Sequence, residues 1–360
     1  MKKLNVLDLF CGAGGLSYGF ERVGFNIVLG IDNDTKALVT FKANHKNSQI
    51  LCGDITKISY EKNIKPLLKK QKIDVIIGGP PCQGFSLSGP RNFNDPRNKL
   101  YLSYIRLVKE INPKAFVIEN VPGLVSLFHG EIKEKIISAL EKMGYNVQYK
   151  ILCAADFGVP QTRKRVFFVG TKKSCKTFSF PKTVLSSDKY VTCAEAIDDL
   201  PSLQLQNGQI IYGEEQQDYL FKPRSEYQKL MRQNSRKIKN HIGSIPIEKT
   251  RKMISLIPEG KNYKSLPKQY SGIYKYHEAL TRYDSKKPSL TINTGHRSHF
   301  HYKYNRIPTV RESARLQSFP DDFIFYGNKS EQYRQVGNAV PPLLGSAVAK
   351  QLLYSLGGKK

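Results

Sequence analysis

Residues Gly78–Ser86 read GGPPCQGFS and follow the apolar run Ile73-Asp74-Val75-Ile76-Ile77. Pro80 and Pro81 restrict the backbone just ahead of Cys82, as proline fixes φ. A thiol held so firmly at the end of a strand has the marks of a placed nucleophile. Glu119-Asn120-Val121 closes the apolar run Ala115–Ile118, so a carboxyl group can face the same crevice. Gln161-Thr162-Arg163-Lys164-Arg165 precedes Val166–Val169, and strand alternation puts Gln161, Arg163 and Arg165 on one side. One thiol, one acid and paired cations at neighbouring strand ends form a chemical constellation. Singly, each has a plainer reading: an inert buried cysteine, an ion-paired glutamate, surface arginines.

A second group of residues suits a ligand. Gly12, Gly14 and Gly15 follow the run Leu4–Phe10 and precede a predicted helix. Glycine admits close backbone approach, and a helix N-terminus favours an anionic group. Asp32 lies 20 residues beyond Gly12, at the end of the next apolar run; a carboxylate there can take both hydroxyls of a ribose. Asp54, in Gly53-Asp54-Ile55, ends an edge segment and can accept from an adenine amino group. GAGG is not the full dinucleotide fingerprint. It suits an adenosine ligand that carries a carboxylate in place of a pyrophosphate, such as S-adenosylmethionine.

These residues need a scaffold, and the patterning supplies one. Strand-like runs at Leu4–Phe10, Ile27–Ile31, Ile73–Ile77, Ala115–Ile118, Val147–Leu152 and Val166–Val169 alternate with helix-like ones. The predicted helices include one stopped near Gly24, one N-capped by Asp34, Pro96–Ile111 and Ile132–Met143. The alternation implies an α/β fold with a doubly wound, mostly parallel, Rossmann-like sheet. Its ligands are expected beyond the carboxyl ends of the strands. Regularity lapses near Pro181 and returns with a capping-box pattern at Thr309–Glu312. A last helix is expected from Pro341-Pro342, with Leu343, Leu344, Ala347, Val348 and Leu352 on one face. The expected division is a catalytic and cofactor-binding domain, residues 1–180 plus about 330–360, and a smaller, irregular target-recognition domain, about 181–329.

The charge is far from balanced: 57 Lys and Arg stand against 30 Asp and Glu, a net +27. Between Phe221 and Arg306 there are 20 basic and 5 acidic residues, a net +15. Tyrosines are threaded through the same segment. Basic side chains suit phosphates and tyrosines can stack or hydrogen-bond, so the pattern points to nucleic acid. No apolar run reaches the length of a bilayer. The start MKKLNVLDLF meets Asp8 too early for a signal peptide, and the six cysteines show no zinc spacing. A reduced cytoplasmic protein with no metal and no membrane contact is expected.

These motifs together resemble the DNA (cytosine-5) methyltransferase family, over nearly the whole chain. Asp8–Ser17 (DLFCGAGGLS), Gly78–Ser86, Glu119–Val121 (ENV), Gln161–Arg165 (QTRKR), Arg311–Pro320 (RESARLQSFP) and Gln335–Pro341 (QVGNAVP) match its motifs in order. The resemblance implies a class I S-adenosylmethionine-dependent methyltransferase that releases S-adenosylhomocysteine. It implies that Cys82 attacks C6 of a flipped cytosine, with Glu119 at N3 and the exocyclic amine. Arg163 and Arg165 would hold the base, and Asn120 would brace the loop at Pro80. For the cofactor it implies Phe10, Gly12, Gly14, Gly15, Asp32, Asn33, Asp54, Ile55, Leu100, Asn338 and Ala339. Asn33 departs from the aromatic residue that many relatives carry there. For DNA it implies Gln83 and Ser86, while Asn293–Tyr304, with Arg297, His299 and Lys303, is the expected base-edge or phosphate contact. Arg311 and Arg315 are expected to organise the small domain.

The family also implies double-stranded DNA as substrate, a monomer, and a bacterial restriction–modification setting with a separately encoded endonuclease. One branch methylates RNA cytosine, but its Cys-Phe-Thr element is not found here. A catalytically silent DNA-binding regulator need not retain Cys82, Glu119 and Arg163. A nicotinamide-dependent dehydrogenase would explain the first strands but not PPCQ, ENV or the basic segment.

Overall fold

The computed structural model describes residues 3–81, 100–126, 130–204, 209, 211–270, 280–295 and 298–358. Cys82, Gln83, Ser86 and Arg297 lie outside the described residues. The chain divides into two compact units, 1–153 with 164–183 and 340–360, and 154–163 with 184–339.

The first unit is built on a sheet that has seven strands among the described residues, in the order β3-β2-β1-β4-β5-β7-β6. The strands are β1 (Asn5–Leu9), β2 (Asn26–Asp32), β3 (Gln49–Cys52), β4 (Val75–Gly78), β5 (Ala115–Asn120), β6 (Tyr145–Cys153) and β7 (Lys164–Lys172). Every residue of β1, β4 and β5 is buried, which is why these strands read as continuous apolar runs. Each pair along β3-β2-β1-β4-β5 is parallel, while β7 runs antiparallel to both β5 and β6. Only ten residues, 154–163, separate β6 from β7, too few for a parallel crossover.

Helices α1 (Gly15–Arg22), α2 (Thr35–Asn44), α3 (Leu100–Ile111), α4 (Gly123–Ser126), α5 (Glu131–Glu141) and α11 (Pro342–Ser355) complete this unit. Asp34 caps α2 by accepting from Lys36 N and Ala37 N. α3 is tied down by Tyr104, whose hydroxyl lies 3.0 Å from Ile76 O and 2.9 Å from Val117 O and shares its one proton between them. The core includes Leu7, Leu29, Ile76, Phe116 and Phe168, all fully buried. Each such side chain contributes about 1.5–3 kcal/mol. On α11 the buried face is Leu344, Gly345, Val348, Ala349 and Leu352; Leu343 and Ala347, expected on it, are half-buried. The close α1–α11 approach moves that face round: a Cβ on Gly19 would lie 2.7 Å from Pro342 O.

The second unit holds α6 (Cys193–Ile197), α7 (Glu226–Arg232), α8 (Glu248–Ser255), α9 (Val310–Leu316) and α10 (Lys329–Asn338). Its short strand pairs are β8 (Gln216–Gln217) with β9 (Ile238–Lys239) and β10 (Thr281–Arg282) with β11 (His299–Phe300). The expected capping box is present: Glu312 N donates to Thr309 Oγ1 and Thr309 N to Glu312 Oε2. The unit's centre is ionic. Arg315 pairs with Asp321 at 2.6 Å and with Asp199, and Arg306 with Glu312 at 2.6 Å. Arg311 donates to the carbonyls of Lys239, Pro320 and Phe323.

The division differs from the one read off the sequence at two places. Residues 154–163 and 330–339 belong with the second unit. The cause is buried hydrogen bonding. Gln161 Nε2 donates to Leu316 O and Gln317 Oε1, and Gln161 Oε1 accepts from Ile292 N. Gln317 Nε2 donates to Val336 O at 2.7 Å.

Candidate active site

The strand order turns at the β1–β4 pair, the point where such sheets bind ligands. The register pairs Leu9 with Gly78 and Gly78 with Ile118. The chain therefore leaves β1, β4 and β5 at one rim. Gly78 must be glycine there, because a Cβ would stand 2.1 Å from Leu9 O.

Glu119 and Asn120 end β5 at that rim, and both are buried. Arg165, near the start of antiparallel β7, returns to it, and its Nε lies 3.0 Å from Glu119 Oε1. Burial lowers the Arg165 pKa, and Glu119 opposes that shift. Gly79 packs directly on the acid: a Cβ there would be 2.9 Å from Glu119 Oε2. Asn120 Nδ2 donates to Pro80 O at 2.9 Å, and its Oδ1 accepts from Val121 N. The Pro80 carbonyl is thus gripped from β5.

The glycine turn occupies the same rim, after β1. Phe10 is half-buried with φ +59°, and Gly12 has φ +52°. Nothing lies within 4 Å of a Cβ built on Gly12, so the turn has open space on that side. Gly14 has a different reason. Its Cβ would stand 2.2 Å from His45 Nε2 and 2.8 Å from the Phe41 ring, so protein rather than ligand fills that space. Asp32 accepts from Gly12 N at 2.8 Å and Asp34 N at 2.9 Å. Burial raises its pKa, and those backbone amides oppose the shift. Asn33 and Asp54 are exposed, Ile55 is buried and Leu100 is half-buried. Asp54 accepts from Thr56 N and Oγ1, and these bonds hold its pKa below the usual carboxylate value. Beneath the turn Asp8 is buried and accepts from Ser17 Oγ at 2.6 Å; burial pushes its carboxyl up to about 8.

Arg163 and His299, two of the expected site residues, are buried. Arg163 was expected beside Arg165, but its guanidinium is 1% exposed and donates to Ile292 O at 3.1 Å and Gly337 O at 2.9 Å, inside the second unit. It braces backbone. His299 was expected to reach DNA. It is buried in β11 and stacks on Tyr283, with ring centroids 5.3 Å apart. Lys303 is exposed, Asn338 is exposed at the end of α10, and Ala339 is half-buried. Tyr227, Tyr283 and Tyr302 are core residues. Among the described residues, no group of three or more His, Cys, Asp or Glu could hold a metal ion, and no helix is long and apolar enough to cross a membrane.

The sequence reading assigned no role to Gly79, His45 or Gln317. Gly79 had a signal in the doubled glycine of GGPP, and Gln317 in RESARLQSFP. His45 had none, being one histidine in a polar stretch.

Comparison with known proteins bears on this arrangement. Residues 4–354 match the family model for C-5 cytosine-specific DNA methylases. The chain is 39% identical to the Type II methyltransferase M1.HphI of Haemophilus parahaemolyticus, over 97% of this chain and 87% of that one. It is 37% identical to M.DdeI of Desulfomicrobium norvegicum, over 98% and 89%. Among solved structures, one described as a DNA modification methyltransferase encoded within an E. coli prophage superposes with a TM-score of 0.81. Its identity is 29%, and the match covers 98% of this chain and 99% of that one. The Entamoeba histolytica methyltransferase EhMeth shares the fold, at 19% identity and a TM-score of 0.61 over the full length of both chains.

Proposed function

The chain belongs to the C-5 cytosine-specific DNA methylase family, and from that membership we propose that it methylates C5 of cytosine within a short, specific sequence of double-stranded DNA. S-adenosylmethionine, when bound, supplies an electrophilic methyl group and leaves as S-adenosylhomocysteine. The rim residues fit such a ligand. Gly12 leaves room for close approach, and the Asp32 carboxylate, oriented by backbone amides that include Gly12 N and Asp34 N, has acceptor capacity left for a ribose hydroxyl. Phe10, Asn33, Asp54, Ile55 and Leu100 are assigned to the adenosine, and Asn338 and Ala339 to the methionine end.

The protein's own chemistry starts with Cys82. Its thiolate adds to C6 of the extrahelical base, and the ring electrons move to C5. Glu119 hydrogen-bonds or protonates N3 as that charge develops, and Arg165 holds the Glu119 carboxyl in place. C5 then takes the methyl group. Loss of the C5 proton to water or hydroxide restores the double bond, breaks the C6–S bond and returns the thiolate. Asn120 keeps the Pro80 carbonyl fixed throughout.

The observation that carries this reading is the Glu119–Arg165 pair at the rim where β4 runs into Gly79-Pro80-Pro81. The relatives' Type II names support a place in a restriction–modification pair with a separately encoded endonuclease. The test is transfer of radiolabelled methyl to duplex DNA, with transfer RNA as the competing substrate and Cys82→Ala as control. DNA is labelled by the wild type alone, and 5-fluorocytosine at the target traps the enzyme covalently. Substantial turnover by Cys82→Ala overturns the assignment of the nucleophile.

A further inference from the structure

The side chain of His45 lies against the glycine turn and is wedged between two acceptors. Its Nε2 is 3.2 Å from Gly14 O, and its Nδ1 is 2.6 Å from Glu21 Oε2. The residue is 1% exposed, and its ring packs on Phe41 with centroids 4.4 Å apart. It also meets Tyr18 edge-on, at 6.4 Å. The packing on the turn is close enough to exclude any Cβ at position 14.

The Gly14 carbonyl has a second donor. Gly14 caps α1 in a left-handed conformation, φ +94°, and its oxygen accepts from Tyr18 N at 2.8 Å. A peptide unit is planar and trans, so its C=O and the following N–H point in opposite directions. A Gly14 carbonyl fixed by His45 and Tyr18 therefore fixes the direction of the Gly15 N–H. That amide is the first of α1, at the helix end that favours an anionic group.

We infer that Glu21 and His45 are positioning residues for the cofactor. Glu21 orients the ring, the ring, with a proton on each nitrogen, donates to the Gly14 carbonyl as well as to Glu21, and the Gly14–Gly15 peptide is thereby set for the carboxylate end of S-adenosylmethionine. The inference rests on the proposed use of this turn for that ligand. It assigns cofactor affinity to a pair of side chains that have no part in the covalent steps.

The test is calorimetric titration of the full chain with S-adenosylhomocysteine, together with unfolding temperatures taken without ligand. His45→Leu removes the donor and keeps an apolar body against Phe41. It is expected to weaken binding about tenfold, the worth of one well-placed hydrogen bond. His45→Gln, which can still donate to Gly14 O, recovers to within about threefold of the wild type. Glu21→Gln, on a partly exposed side chain, weakens binding about threefold. KM for S-adenosylmethionine rises in parallel with these changes, while kcat at saturation stays within about twofold. A folded His45→Leu protein that binds within twofold of the wild type overturns the inference. If His45→Leu does not fold, wild-type affinity in Glu21→Gln overturns it instead. If the wild type itself fails to bind, the cofactor assignment falls first and this inference with it.

Discussion

Lysine at position 163 keeps the positive charge and discards the fork, so Arg163→Lys separates bracing from catalysis. The guanidinium donates from two different nitrogens to Ile292 O and Gly337 O. It is buried, so water cannot replace either bond. A single ammonium on a shorter reach keeps one of the two at best. Losing one bond to a charged donor costs about 1.5–3 kcal/mol, and stranding a buried carbonyl adds about 1 kcal/mol or more. The expected loss is about 3 kcal/mol. A domain of this size loses about 2–4 °C per kcal/mol, so thermal unfolding of the second unit should fall by about 6–12 °C. Arg165→Lys is the internal comparison. It keeps a cation near Glu119, and its unfolding temperature should move by less than about 3 °C while single-turnover methyl transfer slows about tenfold or more. Unfolding by calorimetry and transfer at a temperature where both variants are folded read the two effects separately. If Arg163→Lys unfolds with the wild type yet loses methyl transfer as Arg165→Lys does, Arg163 touches the substrate and the bracing argument is wrong.

Gly79→Ala puts a methyl group 2.9 Å from Glu119 Oε2; kcat should fall about tenfold or more while S-adenosylhomocysteine binding is unchanged, and equal loss of both would refute a contact confined to the acid. His241 and His299 are pulled down to about 4 and His301 to about 3, chiefly by burial. The folded state therefore keeps them neutral, and stability present above about pH 6.5 is lost as pH falls towards 4. His299→Phe keeps the stack on Tyr283 and removes one titrating group worth up to about 3 kcal/mol, so its unfolding temperature should decline less steeply between pH 6.5 and 4.5; an unchanged slope counts against a neutral buried imidazole. Asp8 has the opposite sign, because burial raises its carboxyl to about 8. Its contribution is complete below pH 4 and is lost progressively as pH rises from there to about 8, so Asp8→Asn should flatten the fall in unfolding temperature between about pH 5 and 8. A wild-type curve with no such fall would refute the assignment.

Much of the site could be read along the chain because its cues are local. The apolar runs of β1, β2, β4 and β5 are buried strands, and their ends carry the residues expected there. Asp34 and Thr309 cap helices through amides two or three residues away. Gly12 and Asp32, and Asn120 and Pro80, meet because strand order at a sheet's turning point is restricted to few solutions.

Composition and patterning alone therefore determined an α/β sheet, a set of strand-end residues and a basic segment suited to nucleic acid. Only the tertiary structure decided which of two alternating arginines meets Glu119. Strand periodicity places side chains on a face but does not say what lies opposite. Arg163 finds its partners 129 and 174 residues away, Gln161 reaches Gln317 across 156, and His45 reaches Gly14 from the far end of α2. His299, for the same reason, looked like a surface donor in a basic run and is in fact core, because Tyr283 and β10 cover it. Contacts at such separations depend on how whole elements pack, and packing is set by the summed shape and burial of many residues rather than by any short stretch of them.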